Sequence, residues 1–226
     1  MRYDAVLFDN DGVLVHLTEL PVLRRAVERA FAEMGIEDPD EGDVEALTIG
    51  VTPETLEAVS DEYDLDPEAF WARRDQHATN AQQRAVETGE KALYEDFESV
   101  LDIPLPRGIV SSNQHPTVEH VLEFNGVDDH FETYYGREMS VDGLRRKKPA
   151  TYYLDRAIAD IGAENPVYVG DSESDVVAAQ NAGMDSVFVR RDHRADLDLS
   201  VEPTAEITSL TALPTVLNGD RSADAH

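Results

Sequence analysis

Five short apolar runs punctuate this chain, and the segments between them carry helical patterns. Tyr3–Phe8, Gly108–Val110, Thr133–Tyr135, Val167–Val169 and Ser186–Val189 each read as a short buried strand. Helical patterns cover Pro116–Asn125, Thr151–Ile161 and Asp175–Ala182, the last stopped by Gly183. Strands alternating with helices mean βαβ units, so the expected fold is α/β, a Rossmann-like parallel sheet flanked by helices. One stretch departs from this. From Thr18 to about Gly89 the pattern is helical throughout, with Pro21, Pro53 and Pro67 near helix starts, Thr52 and Asp66 as N-caps, and Gly35 as a stop. The expected organisation is an α/β core from residues 1–15 and 91–217, an inserted all-helical domain over 16–90, and a polar, disordered tail over 218–226.

Open α/β sheets bind ligands at the carboxyl ends of their strands, which directs attention to the polar residues there. Asp9-Asn10-Asp11-Gly12 follows the first run, Ser111-Ser112-Asn113 follows the second, and Gly170-Asp171-Ser172-Glu173-Ser174-Asp175 follows Val167–Val169. Lys148 stands in the loop Lys147-Lys148-Pro149. Two carboxylates two apart on a leaving strand point the same way, and their repulsion calls for a cation or a shared proton. Each cluster alone has a plain structural explanation as a turn, a helix cap or a solvated loop. Their order, with each at a strand end or loop, argues for one site.

Composition narrows the classes. The chain has 47 acidic and 19 basic residues among 226, a formal net charge of −28, and its lysines are Lys91, Lys147 and Lys148. That balance argues against nucleic acid as a partner. The acidity runs along the whole chain and is similar to that of proteins from salt-accumulating halophiles. In molar salt the Debye length falls to about 3 Å and surface repulsion fades. There is no cysteine, hence no thiolate metal site or disulfide. No apolar run approaches the roughly 18 residues of a membrane span, and the first residues do not resemble a signal peptide. A soluble cytoplasmic protein, monomer or homodimer, is expected.

Val6-Leu7-Phe8-Asp9-Asn10-Asp11-Gly12-Val13-Leu14 resembles the first motif of the haloacid dehalogenase-like hydrolases. Ile109-Val110-Ser111 resembles their second motif, Lys148-Pro149 their third, and Val169-Gly170-Asp171 with Asp175 their fourth. The helical insertion resembles the cap of the phosphoglycolate phosphatase and β-phosphoglucomutase branch. The resemblance implies a phosphatase of a small phosphorylated metabolite. In that reading Asp9 is the nucleophile and Asp11 the general acid and then base. Mg²⁺ sits on the Asp9 carboxylate, the Asp11 carbonyl and Asp171, with Asp175 behind or as a further ligand. Ser111 and Lys148 hold the phosphoryl group, and amides around Asn10, Asp11 and Ser112 cradle the rest.

Two departures bear on specificity. His16 stands where members often carry an acid, and a hinge or packing role is expected for it. Pro53 follows Gly50-Val51-Thr52, where phosphoglucomutase-like members carry an arginine that reads a distal phosphate. Arg73, Arg74, His77 and Arg84 are expected to form a salt-paired helix face. A phosphomutase is the alternative within the fold, and Pro53 counts against it. A true dehalogenase is disfavoured by Asp11. A signalling receiver is disfavoured by Asn10 between the acids and by the insertion. A non-catalytic phospho-ligand binding protein would lack a motif residue, and none is missing.

Overall fold

The computed structural model describes residues 2–219. Six strands form one sheet: β1 (Ala5–Phe8), β2 (Arg107–Gln114), β3 (Thr133–Arg137), β4 (Pro166–Gly170), β5 (Asp185–Val189) and β6 (Ala205–Ile207). Their order is β3-β2-β1-β4-β5-β6, and every pairing is parallel. The chain is therefore α/β, as expected. The order reverses about β1, which has β2 on one side and β4 on the other. A reversal of this kind opens a crevice beyond the carboxyl ends of the strands.

Directly after β1 come four helices: α1 (Leu20–Glu33), α2 (Glu41–Ala46), α3 (Pro53–Glu62) and α4 (Pro67–Glu87). The expected caps form. Thr52 Oγ1 accepts from the Thr55 amide at 3.2 Å, and Asp66 Oδ1 accepts from the Glu68 amide at 2.9 Å. These helices bury a core of their own around Phe31, Leu47, Leu56, Phe70 and Trp71. The two connections to the sheet pair with each other. Val15 bridges Leu93, the His16 amide donates to Ala92 O at 2.9 Å, and the Tyr94 amide donates to Leu14 O at 2.9 Å.

After these helices come α5 (Glu98–Leu101), α6 (His115–Asn125), α7 (Val141–Arg146), α8 (Tyr152–Ile161), α9 (Glu173–Asn181) and α10 (Leu213–Leu217). Strand pleating sends alternate side chains to opposite faces. Val6, Phe8, Ile109, Val167 and Val169 pack with Val118 and Leu122 of α6 and Leu213 of α10. Leu7, Val110 and Tyr168 pack with Tyr153 and Leu154 of α8 and with Ala178 and Ala179 of α9. Full burial of side chains such as Phe8 and Leu7 contributes about 1.5–3 kcal/mol each, and this two-sided core holds the strand ends in place.

Some boundaries differ from the sequence expectation. β2 runs through Ser111–Gln114, where the residues are polar and no apolar period marks a strand. Its pairing with β3 shifts register between Val110 and Gln114, which lets the polar end bend toward the crevice. α9 begins at Glu173 because Ser172 and Asp175 form a reciprocal capping box, two residues before the expected start. The three-residue β6 and the six-residue α2 and α7 are too short to show a period. Of the tail, Asn218 caps α10, and residues 220–226 lie outside the described residues. No helix among the described residues is long and apolar enough to cross a membrane.

Candidate active site

Asp9 is the first residue past β1, and its amide donates to Val169 O of β4 at 2.8 Å. The chain then turns sharply: the Leu14 and Val15 amides both bond Asn10 O, and Gly12 takes φ +80°. Glycine is required at position 12 for two reasons. The left-handed backbone disfavours side chains, and a Cβ there would fall 2.4 Å from Asp171 Oδ2. Asn10 is fully buried beneath the turn, with Nδ2 donating to Asp11 Oδ2 at 3.2 Å.

Lys148 unites two strand ends. Its Nζ lies 2.9 Å from Asp9 Oδ1 and 2.6 Å from Asp175 Oδ1, and donates to Tyr168 Oη at 2.7 Å. Burial works against its charge, but Asp175 and Asp9 outweigh that and hold its pKa above the ordinary lysine value. Asp175 Oδ2 accepts from the amides of Asp171 and Ser172 and from Ser172 Oγ at 2.7–3.1 Å. Gly170 permits this closeness, since a Cβ there would meet Asp175 Cβ at 2.3 Å. Asp171 is gripped from the loop after β5 by His193 Nε2 at 2.7 Å and Arg194 Nε at 3.0 Å. Sequence reasoning passed over both residues, since nothing in Arg191-Asp192-His193-Arg194 signals a contact with Asp171.

Asp11 faces the other way, toward a network that the sequence did not reveal. Lys91, 1% exposed, ion-pairs with Asp11 Oδ1 and also donates to Thr18 Oγ1 and Gln82 Oε1 at 3.1 Å each. Asn113 Nδ2 donates to Asp11 Oδ2 at 3.0 Å and to Gln82 Oε1 at 2.8 Å. Gln82 belongs to α4, so the helical insertion is linked to Asp11 through Lys91 and Asn113. Burial opposes ionisation of Asp11, but Lys91 and the hydrogen bonds from Asn113 and Asn10 bring its pKa below the usual carboxylate value. Asp9 behaves oppositely. Burial raises it to about 7 against the pull of Lys148, with Asp175, Asp171 and Asp11 adding to the rise. A proton on Asp11, expected from its neighbouring carboxylate, is thus disfavoured while Lys91 is paired to it.

A cavity of about 410 Å³ opens between the sheet and the helical insertion. Asp9, Asp11, Ser111 and Ser112 line it together with Arg74 of α4, Arg137 of β3 and Lys147. Ser111 accepts from the Asn113 amide at 3.2 Å, which leaves its hydroxyl proton for an acceptor in the cavity. Arg74 is salt-paired, as expected, but inside the protein rather than on its surface. It is 5% exposed and, with Arg137, pairs with the fully buried Asp75. His77 does pair on the surface, with Glu33 at 3.1 Å, Arg73 donates to Met34 Sδ, and Arg84 borders a shallow groove beside α1. His16 packs on Tyr94 with ring centroids 4.0 Å apart, beside the connections to the insertion.

The carboxylates suit a hard divalent cation. Asp9, Asp171 and Asp175 are all buried, and each brings an oxygen within 4.8 Å of the others. Their mutual repulsion and the raised Asp9 pKa are what an added positive charge would relieve.

The model of the haloacid dehalogenase-like hydrolase family matches residues 6–189. This chain belongs to that family. A 5'-nucleotidase of Pseudomonas aeruginosa is 26% identical over 227 residues, covering 96% of each chain. A phosphoglycolate phosphatase of Yersinia pestis is 28% identical over 193 residues, covering 79% of this chain and 77% of the relative. Among solved structures, CbbY from Rhodobacter sphaeroides in complex with phosphate superposes with a TM-score of 0.70 at 20% identity, covering 93% of this chain and 96% of that one. In this hydrolase the structure brings residues of the four motif segments together. Asp9, Lys148, Asp171 and Asp175 form one buried cluster, and Ser111 stands across the cavity from the helical insertion.

Proposed function

We propose that the protein is a Mg²⁺-dependent phosphatase that cleaves a small phosphate monoester through a phosphoryl group carried on Asp9. The observation that carries this reading is the buried Asp9 carboxylate, ion-paired to Lys148 among further carboxylates at the crevice of the sheet. The helices α1–α4 are read as a cap that closes the cavity over the substrate. Relatives named as a 5'-nucleotidase and a phosphoglycolate phosphatase support the class of reaction.

The steps follow from the chain's own groups. An Asp9 oxygen attacks phosphorus and the bond to the ester oxygen breaks. Asp11, carrying a proton at that moment, passes it to the leaving oxygen, and release from Lys91 is what lets it hold one. Asp11, again ionised, then takes a proton from water as the water oxygen attacks phosphorus. The bond from phosphorus to Asp9 breaks, freeing phosphate. Throughout, Lys148 offsets charge on the phosphoryl oxygens and Ser111 donates a hydrogen bond to one of them. Mg²⁺, held by Asp9, the Asp11 carbonyl and Asp171, with Asp175 behind, would neutralise charge between nucleophile and phosphate.

The test is phosphate release from a panel of phosphate esters in high salt, with Mg²⁺ and with EDTA. Release that needs Mg²⁺ is expected. Full release in metal-free buffer, or none from any ester, would contradict the reading.

A further inference from the structure

Of the three lysines of this lysine-poor chain, Lys147 lines the cavity, and Lys91 and Lys148 pair with Asp11 and Asp9, which line it too. Lys91 answers Asp11 and Lys148 answers Asp9 and Asp175. Lys147 answers no carboxylate among the described residues. Its Nζ donates only to Val51 O, at 2.6 Å, which leaves two N–H groups without a protein acceptor. It is half-buried in the cavity wall between Arg74 and Arg137. Asp75 neutralises one of the two arginines, so two positive charges are left over on this wall. Burial first, and then the two arginines, push the Lys147 ammonium down to about 8. In a chain with net charge −28, cations are scarce and acidic partners abundant, yet these cations are not matched.

A second observation points the same way. Trp71 Nε1 and Ser112 Oγ, both on residues of this cavity wall, are buried without a hydrogen-bond partner. Each can donate, and a buried donor left unmet is costly. The guanidiniums of Arg74 and Arg137 lie over the Trp71 ring, 4.9 and 5.0 Å from its centroid, which fixes the donors in one rigid group. Val51 and Leu144 contribute apolar surface to the same wall.

We propose that the cavity takes phosphate esters whose far end carries a second anionic group, a carboxylate or another phosphate, seated on Lys147 between Arg74 and Arg137. This rests on the phosphatase reading above. It assigns the far-end contact to residues of α4, β3 and the loop after α7. The arginine position that Pro53 fills takes no part.

The experiment compares matched esters: phosphoglycolate against ethyl phosphate, and a sugar 1,5-bisphosphate against the corresponding 5-phosphate. kcat/KM is measured for the wild type, Lys147→Gln and Lys147→Arg. The wild type should favour at least one anionic-ended ester over its neutral-ended match by about tenfold or more, since charge-assisted hydrogen bonds are the strong ones. The preferred pair tells carboxylate from phosphate. Lys147→Gln should collapse that ratio through KM, and Lys147→Arg should restore most of it. Fluorescence of Trp71, the single tryptophan, gives a direct binding readout in Asp9→Asn protein, where hydrolysis cannot intervene. Hydrolysis of both members of each pair at equal efficiency overturns this inference and leaves the phosphatase reading standing. A ratio that Lys147→Gln leaves intact also overturns it. No hydrolysis of any ester, with no Trp71 response, removes both.

Discussion

Asp75→Asn tests how the helical insertion is fastened to the sheet. Asp75 is fully buried on α4 and receives Arg137 Nη2 at 2.8 Å, Arg74 Nη1 at 3.1 Å and Gln114 Nε2 at 2.8 Å. Asparagine keeps the shape and one acceptor but removes the charge, which strands two buried guanidiniums beside each other. Breaking one partner of a buried ion pair costs about 3–5 kcal/mol, and full burial means that solvent screening does not reduce this. For a chain of this size that is about 6–20 °C in Tm, or a urea midpoint lower by about 1–2 M. Burial opposes the Asp75 charge, but Arg137 and Arg74 outweigh it and hold its folded pKa below the usual aspartate value. Its contribution is therefore complete above about pH 4 and is lost as pH falls through the folded pKa. The gap between wild type and variant should be constant from neutral pH to mild acid and narrow only below that. A midpoint shift under about 0.3 M at neutral pH, with an unchanged slope, would refute the claim that this triad joins the two layers.

Three further outcomes follow from the site. Lys91→Met removes the partner that keeps Asp11 ionised, so the Asp11 pKa should rise and the pH dependence of kcat should move to higher pH, with calorimetric Mg²⁺ affinity within a few-fold of wild type. A large loss of metal affinity would show that Lys91 acts on the carboxylate cluster instead. His193→Ala and Arg194→Ala each remove one of the two partners that hold Asp171 Oδ2 and should weaken Mg²⁺ binding by about 10–100-fold. Unchanged titrations in both would show that the grip on Asp171 does not position it. The acidic surface is proposed to suit molar salt, so Tm should climb steadily from about 0.1 M to 2 M KCl. A flat or falling Tm would contradict that proposal.

The fold and the acids at the strand ends were legible because both depend on local pattern. An apolar run that ends in acids marks a strand end, and β1 with Asp9 and β4 with Asp171 sit where that pattern placed them. The rest depends on contacts between distant segments. Lys91 reaches Asp11 across 80 residues and Asn113 reaches it across 102. No period or spacing signals such pairs. Arg74 looked like one more charge on a helix whose neighbours are polar, and only the fold shows that its face meets Asp75, Arg137 and Trp71. The one available hint was composition. With three lysines in 226 residues, each was a candidate for a specific task.

The central claim is that the phosphoryl group passes through Asp9. Acid quenching during steady-state turnover, followed by peptide mass spectrometry, tests it most directly. A phosphoryl adduct on the peptide containing Asp9, absent from Asp9→Asn protein, is the predicted result. Rapid phosphate release with no adduct on Asp9, or with an adduct on another residue, would contradict the account.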